Sequence, residues 1–311
     1  MAAKGVIELP HIGIRAGYEL SNGSYDSSKP TCVLVNSMCT TVSLYRDQLS
    51  HDKRLTGAVN LLAIEPLGHG ATTCVAEHFT YWDTAIMALQ VLDALGIQKC
   101  FALGTSQGGW IVARMALLEP GRIQGILILG SSMDAETAQT REIGCWDPAP
   151  FVRPFIEERW AAGAGGAPTP DFMVDDEWIA SIAQLGFGKA ATPENTEFWT
   201  KTLREVYKGD EGRRKLRMAT IALVERDGLL FRLPYVKCPV HWLHGTEDPV
   251  YSPEIPKKQI KLFTGSKEAK LDLLEGGAHF LNATHPKEMV EAILQMASKY
   301  GQYVNGNTHD S

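Results

Sequence analysis

The chain of 311 residues is short of the features that mark nucleic-acid, membrane and redox proteins. It has no excess of positive charge: 30 Lys and Arg stand against 36 Asp and Glu, a formal net charge of −6. No basic stripe interleaved with aromatics appears, and a phosphate backbone needs paired cations, so nucleic acid is not an expected partner. No apolar run approaches the roughly 20 residues of a membrane span, so no membrane partner is expected. The opening Met1-Ala2-Ala3-Lys4-Gly5-Val6 has no apolar core of a secretory leader, and Thr308-His309-Asp310-Ser311 is no peroxisomal address. A cytoplasmic location is the expectation. The 6 cysteines, Cys32, Cys39, Cys74, Cys100, Cys145 and Cys238, are scattered, with no Cys-x-x-Cys pair and no metal-ligand spacing. They read as reduced, small hydrophobes rather than as disulfide partners. The glycine-rich turn Gly104-x-Ser-x-Gly108-Gly109, beside a strand, lacks the Gly-x-Gly-x-x-Gly spacing of a dinucleotide site. Neither a cofactor nor a metal is expected.

What is present is a rhythm. At 44% apolar residues the composition is that of an ordinary globular protein, of one large domain or two modest ones. Residues 6–9 and 14–20 read as a hairpin. Apolar strand-like runs follow at 32–35, 59–64, 100–103 and 126–130, and again from 240 and from 271. Helical spacing occupies 44–49, 81–95 and 110–118. Continuous apolar strands between helices imply a mostly parallel sheet covered on both faces. Between 134 and about 232 the rhythm stops. That stretch holds glycine–proline punctuation at 163–170, helical patterns at 176–185 and 197–207, and many aromatics.

The sharpest signal is Gly104-Thr105-Ser106-Gln107-Gly108, set between the 100–103 strand and the 110–118 helix. A lone Gly-x-Ser-x-Gly is weak, because a capping serine in a tight loop looks the same. In a strand–turn–helix setting it is a nucleophile elbow, which pushes the serine hydroxyl out of the sheet and aims the next amide at the same point. A serine hydroxyl needs a base and a group to orient that base. Both types follow in order. Asp248 lies in the polar turn that ends a buried strand read over 240–249, and His279 comes after a strand that starts at Leu271 and after Gly276-Gly277, in a second run read over 271–281. Ser106 is the expected nucleophile, His279 the base and then acid, and Asp248 the orienting acid. Asp134, just past the 126–130 strand, stays open as an alternative acid. Glu247 is expected to point away, His241 and His244 to line the core and strand end, and His285 to start a helix.

With these three motifs the chain, over about residues 5–300, resembles the serine α/β-hydrolase superfamily. The resemblance implies an α/β-hydrolase fold: a mostly parallel eight-stranded sheet with helices on both faces and a helical cap inserted after strand 6. The expected division is a core of 1–133 and 233–301, a cap of 134–232 and a flexible tail of 302–311. The loop Asn36-Ser37-Met38-Cys39-Thr40-Thr41 replaces the more usual His-Gly and is similar to that of 3-oxoadipate enol-lactonases. By that likeness Met38 supplies one backbone amide of an oxyanion hole, and Gln107 supplies the other. Glu65-Pro66-Leu67-Gly68-His69-Gly70 looks like the family's Arg-Gly-His-Gly turn, with Leu67 in the arginine's place. The elbow continuing to Trp110 also looks like that of hydrolases in fungal secondary metabolism. Asn36, Ser37, Trp146, Phe151, Phe155 and Trp178 are the expected substrate-binding residues, and a small apolar ester or lactone the expected partner; a homodimer is admitted. Serine at the elbow argues against the epoxide-hydrolase and haloalkane-dehalogenase branches. C–C bond hydrolysis, acyl transfer and slow-turnover reception of a small molecule remain open alternatives to hydrolysis.

Overall fold

The structure, a computed structural model, describes residues 2–76, 78–162 and 166–301. The expected tail of 302–311 and glycines 163 and 165 lie outside them. One 8-stranded sheet runs in the order β1-β2-β4-β3-β5-β6-β7-β8. Its strands are β1 (Ala3–Leu9), β2 (Ile14–Leu20), β3 (Thr31–Val35), β4 (Asn60–Ile64), β5 (Cys100–Thr105), β6 (Ile123–Leu129), β7 (Val240–Gly245) and β8 (Ala269–Leu274). The hairpin β1–β2 pairs antiparallel, as does β2 with β4. All other neighbours run parallel.

Strand periodicity explains the two layers. Val33, Val35, Leu62, Ile64, Ala102, Ile126, Ile128 and Trp242 face one side, where they pack under Tyr81–Ala94 and Gln107–Leu118. Cys32, Leu34, Leu61, Ala63, Leu103, Leu127 and Leu243 alternate with them and face the other side, under Lys53–Ala58 and Pro286–Tyr300. Burial on both faces is why Cys32–Val35, Leu61–Ile64 and Cys100–Leu103 read as unbroken apolar runs rather than as alternating ones. Each such Val, Leu or Ile contributes on the order of 1.5–3 kcal/mol by leaving water. The Tyr81–Ala94 helix starts on a reciprocal cap, Thr80 with Asp83.

Parallel register brings the carboxyl ends of the central strands to one edge: Val35 beside Gly104, Thr105 beside Leu129, Leu129 beside Leu243 and Gly245 beside Leu274. The loops that leave this edge carry Asn36–Thr41, Ser106, Gly130, Asp248 and His279. In open α/β sheets ligands bind at this edge.

Between β6 and β7 the described residues form helices and no named strand. The longer ones are Asp176–Phe187, Pro193–Val206 and Gly209–Val224. The last lies outside the helical stretches legible in the sequence. Its opening run Asp210-Glu211-Gly212-Arg213-Arg214-Lys215 hides the apolar stripe, yet Arg213 and Lys215 are themselves buried. Long basic side chains can do this by laying their stems along apolar surface. Among the described residues no helix is long and apolar enough to cross a membrane.

Candidate active site

Ser106 sits at the junction of β5 and the Gln107–Leu118 helix with φ 56° and ψ −118°, a conformation that costs an L-residue about 1–3 kcal/mol. Its neighbours hold it there. The Ser106 amide donates to Leu129 O at 2.8 Å, and its carbonyl accepts from Gly109 N at 2.9 Å and Ser131 Oγ at 2.8 Å. The flanking glycines are required by close approach: a Cβ on Gly104 would lie 2.0 Å from the Gly108 carbonyl carbon, and one on Gly108 would lie 2.1 Å from Val35 O.

His279 Nδ1 lies 2.8 Å from Asp248 Oδ2, and both side chains are buried. The other carboxylate oxygen accepts from the amides of Val250 at 2.8 Å and Tyr251 at 3.1 Å. Burial works to raise the Asp248 pKa. The charge of His279, its hydrogen bond, the charge of His244 and the Val250 amide outweigh burial and hold the carboxyl below its ordinary value. An ionised Asp248 fixes the proton of His279 on Nδ1 and leaves Nε2 free to accept a proton. Asp134, the other candidate acid, sits beside Gly228 and Ala135, and burial raises its pKa. Glu247 turns outward to Lys189 at 3.0 Å. His241 pairs with Asp272 at 2.7 Å, and buried His244 reaches Tyr251 O at 2.8 Å. His285 stands just before Pro286–Tyr300, at its N-cap position, with no side-chain hydrogen bond to the helix start.

Ser106 and His279 line one narrow pocket of about 50 Å³. Of the residues singled out in the sequence, Ser37, Met38, Trp146, Phe151 and Trp178 also line it. Two expected residues do not. Phe155 lies behind the wall, its ring centroid 5.0 Å from those of both Trp160 and Trp178. Asn36 is wholly buried, and its amide nitrogen donates to Ser37 O at 3.1 Å, Thr40 O at 3.0 Å and Thr40 Oγ1 at 3.2 Å. This corrects its expected role: Asn36 shapes the loop instead of touching a ligand. Thr40 N and Thr40 Oγ1 also donate to Ser37 O, at 3.2 and 2.8 Å. Three donors thus fix that carbonyl. A trans peptide points its N–H opposite to its C=O, so the Met38 N–H faces away from this cluster.

The residues missing from the sequence reading are Ser181, Ile182, Leu185, Gly186, Leu223, Val250, Tyr251 and Phe280. Trp178, Ser181, Ile182, Leu185 and Gly186 fall at i, i+3, i+4, i+7 and i+8 on the Asp176–Phe187 helix, one stripe that period 3.6 could have delivered. None of the lining residues is Lys, Arg, Asp or Glu. Wider depressions of about 490 and 640 Å³ open elsewhere on the surface, but neither contains Ser106 or His279. Among the described residues no group of three or more His, Cys, Asp or Glu is disposed to hold a metal ion.

A hydroxyl on a strained turn, an Asp-bound imidazole lining the same pocket and amides at a helix start can together attack a carbonyl and stabilise the resulting oxyanion. Residues 32–292 match the model of the alpha/beta hydrolase family, and the chain belongs to it. Hydrolase is the class that this family and fold define. The chain is similar to "Putative carbamate hydrolase RutD" of Agrobacterium fabrum, 23% identical over 278 residues, 88% of this chain and 95% of that protein. Among solved structures it is similar to a hydrolase of Pseudomonas aeruginosa, with a TM-score of 0.71 and 23% identity, covering 94% of this chain and 97% of that one. It is also similar to the enol-lactonase of Burkholderia xenovorans, with a TM-score of 0.68 and 17% identity, covering 95% and 100%.

Proposed function

We propose that the protein is a serine hydrolase that cleaves an ester or lactone bond of a small, uncharged, mostly apolar molecule. Ser106 Oγ attacks the carbonyl while His279 Nε2 takes its proton. Asp248 orients the ring and stabilises the imidazolium. The amides of Met38 and Gln107 receive the oxyanion. Collapse of the tetrahedral intermediate passes the proton from His279 to the leaving alkoxide and leaves an acyl group on Ser106. Water, deprotonated by the same histidine, then attacks the acyl group, and the second intermediate expels Ser106 Oγ, which takes the proton back from His279 as the acid is released. The observation that carries this reading is the pairing of His279 with Asp248 beside a pocket that Ser106 also lines.

The substrate class follows from the lining. A pocket walled by Trp146, Phe151, Trp178, Ile182 and Leu185, with no Lys, Arg, Asp or Glu in its lining, favours an apolar acyl group. A carboxylate there would be desolvated without a partner. The helical segment between β6 and β7 serves as a cap, since Trp146 to Gly186 supplies much of that wall. The enol-lactonase and the carbamate hydrolase named above support a carbonyl substrate. The test is steady-state hydrolysis of p-nitrophenyl butyrate and of its ω-carboxylated counterpart by wild-type protein and Ser106→Ala. Multiple turnovers on the neutral ester, a preference for it over the carboxylate, and a loss of at least about three orders of magnitude in kcat on Ser106→Ala are expected. A single slow event in place of turnover would make the protein a receptor instead.

A further inference from the structure

We infer that His69 is the positioning residue that holds the two amide donors of the proposed oxyanion hole in one frame. The inference rests on the reading of Met38 and Gln107 just given. It starts from a buried imidazole that the proposed reaction does not use.

His69 is 1% exposed on the turn after β4, and both of its ring nitrogens are committed. Nδ1 lies 2.9 Å from Leu67 O, which can only accept, so Nδ1 carries the proton. Nε2 lies 3.0 Å from the Cys39 amide, which can only donate, so Nε2 accepts. The tautomer is therefore fixed by its partners and the ring is neutral. Burial, first of all, pulls its pKa down to about 4, against the pull of the Leu67 carbonyl. The same Nε2 lone pair faces the side-chain amide of Gln107 at 3.0 Å.

Those two partners belong to the two halves of the proposed hole. Cys39 follows Met38 and takes the left-handed φ of 52°, a strained conformation that needs an external hold. The hydrogen bond that its backbone N–H donates to His69 fixes the peptide that leaves Met38, while the Asn36 and Thr40 donors fix the peptide that enters it. Gln107 opens the helix behind Ser106, and its side chain ties that helix start to the same imidazole. Its Nε2 also reaches Asn36 O at 3.4 Å. One nitrogen thus bridges the β3 loop and the β5 elbow. The distance between two amides aimed at one oxygen decides how well they stabilise it, because such donors act by preorganisation.

The test compares His69→Phe, His69→Asn and His69→Gln with wild type. Phenylalanine keeps the ring volume and removes the acceptor. Asparagine is too short to place an oxygen where Nε2 stands, whereas glutamine can reach it. Three quantities are read: kcat and KM on p-nitrophenyl acetate, the inhibition constant of an aryl trifluoromethyl ketone, whose serine adduct carries an oxyanion, and the urea midpoint. His69→Phe and His69→Asn are expected to lose about 10- to 100-fold in kcat, with KM changed less than about threefold. Trifluoromethyl ketone affinity should fall in step with kcat, and His69→Gln should recover part of both. The proposal is overturned if folded His69→Phe and His69→Asn retain kcat within about threefold, or if activity tracks the folded fraction while inhibitor affinity stays at the wild-type value. A wild-type protein whose turnover is untouched by Ser106→Ala would instead overturn the reading of the site itself.

Discussion

Replacing Gly130 by alanine tests how tightly the sheet edge fixes the Asp248–His279 pair. Gly130 follows β6 with φ 47°, and an added Cβ would stand 2.4 Å from the His279 carbonyl oxygen and 3.3 Å from Asp248 Oδ2. Ordinary C···O contact lies near 3.3–3.6 Å, so the His279 backbone must retreat by roughly 1 Å. Left-handed backbone costs a residue with a Cβ about 1–2 kcal/mol, and overpacking adds about 1–3 kcal/mol, giving roughly 2–5 kcal/mol of lost stability. Displacing a reacting group by about 1 Å costs on the order of 100-fold in rate. The assay is kcat on p-nitrophenyl acetate at a temperature where the variant is folded, beside a urea melt. Gly57→Ala is the control: it lies in the Lys53–Ala58 helix with nothing within 4 Å of its added Cβ, and should gain about 0.5–1 kcal/mol with unchanged kcat. A Gly130→Ala protein with wild-type midpoint and kcat within about threefold refutes the reasoning.

Asp248→Asn should cost more activity than Asp134→Asn, because only Asp248 lies on His279 Nδ1 and an amide does not stabilise an imidazolium; the reverse order of losses would move the acid to Asp134. Stability should fall with acid through a histidine as well as through carboxylates. The His69 pKa drops on folding from 6.5 to about 4, so its contribution of roughly 3 kcal/mol is fully present above pH 6.5 and is lost as pH falls toward 4. Urea melts from pH 8 to 4 read this slope, and His69→Gln should flatten it; an unchanged slope in the variant counts against a buried neutral His69. Ile182→Ala, on the pocket wall, should shift selectivity between acetate and longer acyl esters by about 10- to 100-fold. Phe155→Ala, behind that wall, should lower stability by about 3–5 kcal/mol and cut both activities alike. Equal selectivity shifts in the two variants would put Phe155 in the pocket.

Much of the fold was legible because its signals are local. The fully buried strands announce themselves as apolar runs, the elbow as glycines beside a serine, and the Asp–His pair as two polar residues placed after strands. The pocket wall was less legible. A stripe such as Trp178, Ile182 and Leu185 reveals which face of a helix is buried, but not whether that face meets a core or a cavity. Phe155 and Trp178 look alike in sequence, yet only one reaches the pocket. Asn36 was misplaced because a polar residue in a catalytic-looking loop was read by its chemistry. Its actual hydrogen bonds, to residues one and four positions away, depend on a turn that no periodicity encodes. His69 was read as part of a turn. Its partners, Cys39 and Gln107, are 30 and 38 residues distant, and only the parallel register of β4, β3 and β5 brings them together.

The central claim is that Ser106 carries the acyl group. Wild-type protein mixed with excess p-nitrophenyl acetate, quenched in acid during turnover and digested, gives the peptide that spans Ser106 for mass spectrometry. The account predicts an acetyl group on Ser106, accumulating further in Asp248→Asn and absent from Ser106→Ala. Turnover that proceeds with no adduct on that peptide in either protein, or an acetyl group mapped to another residue, would contradict it.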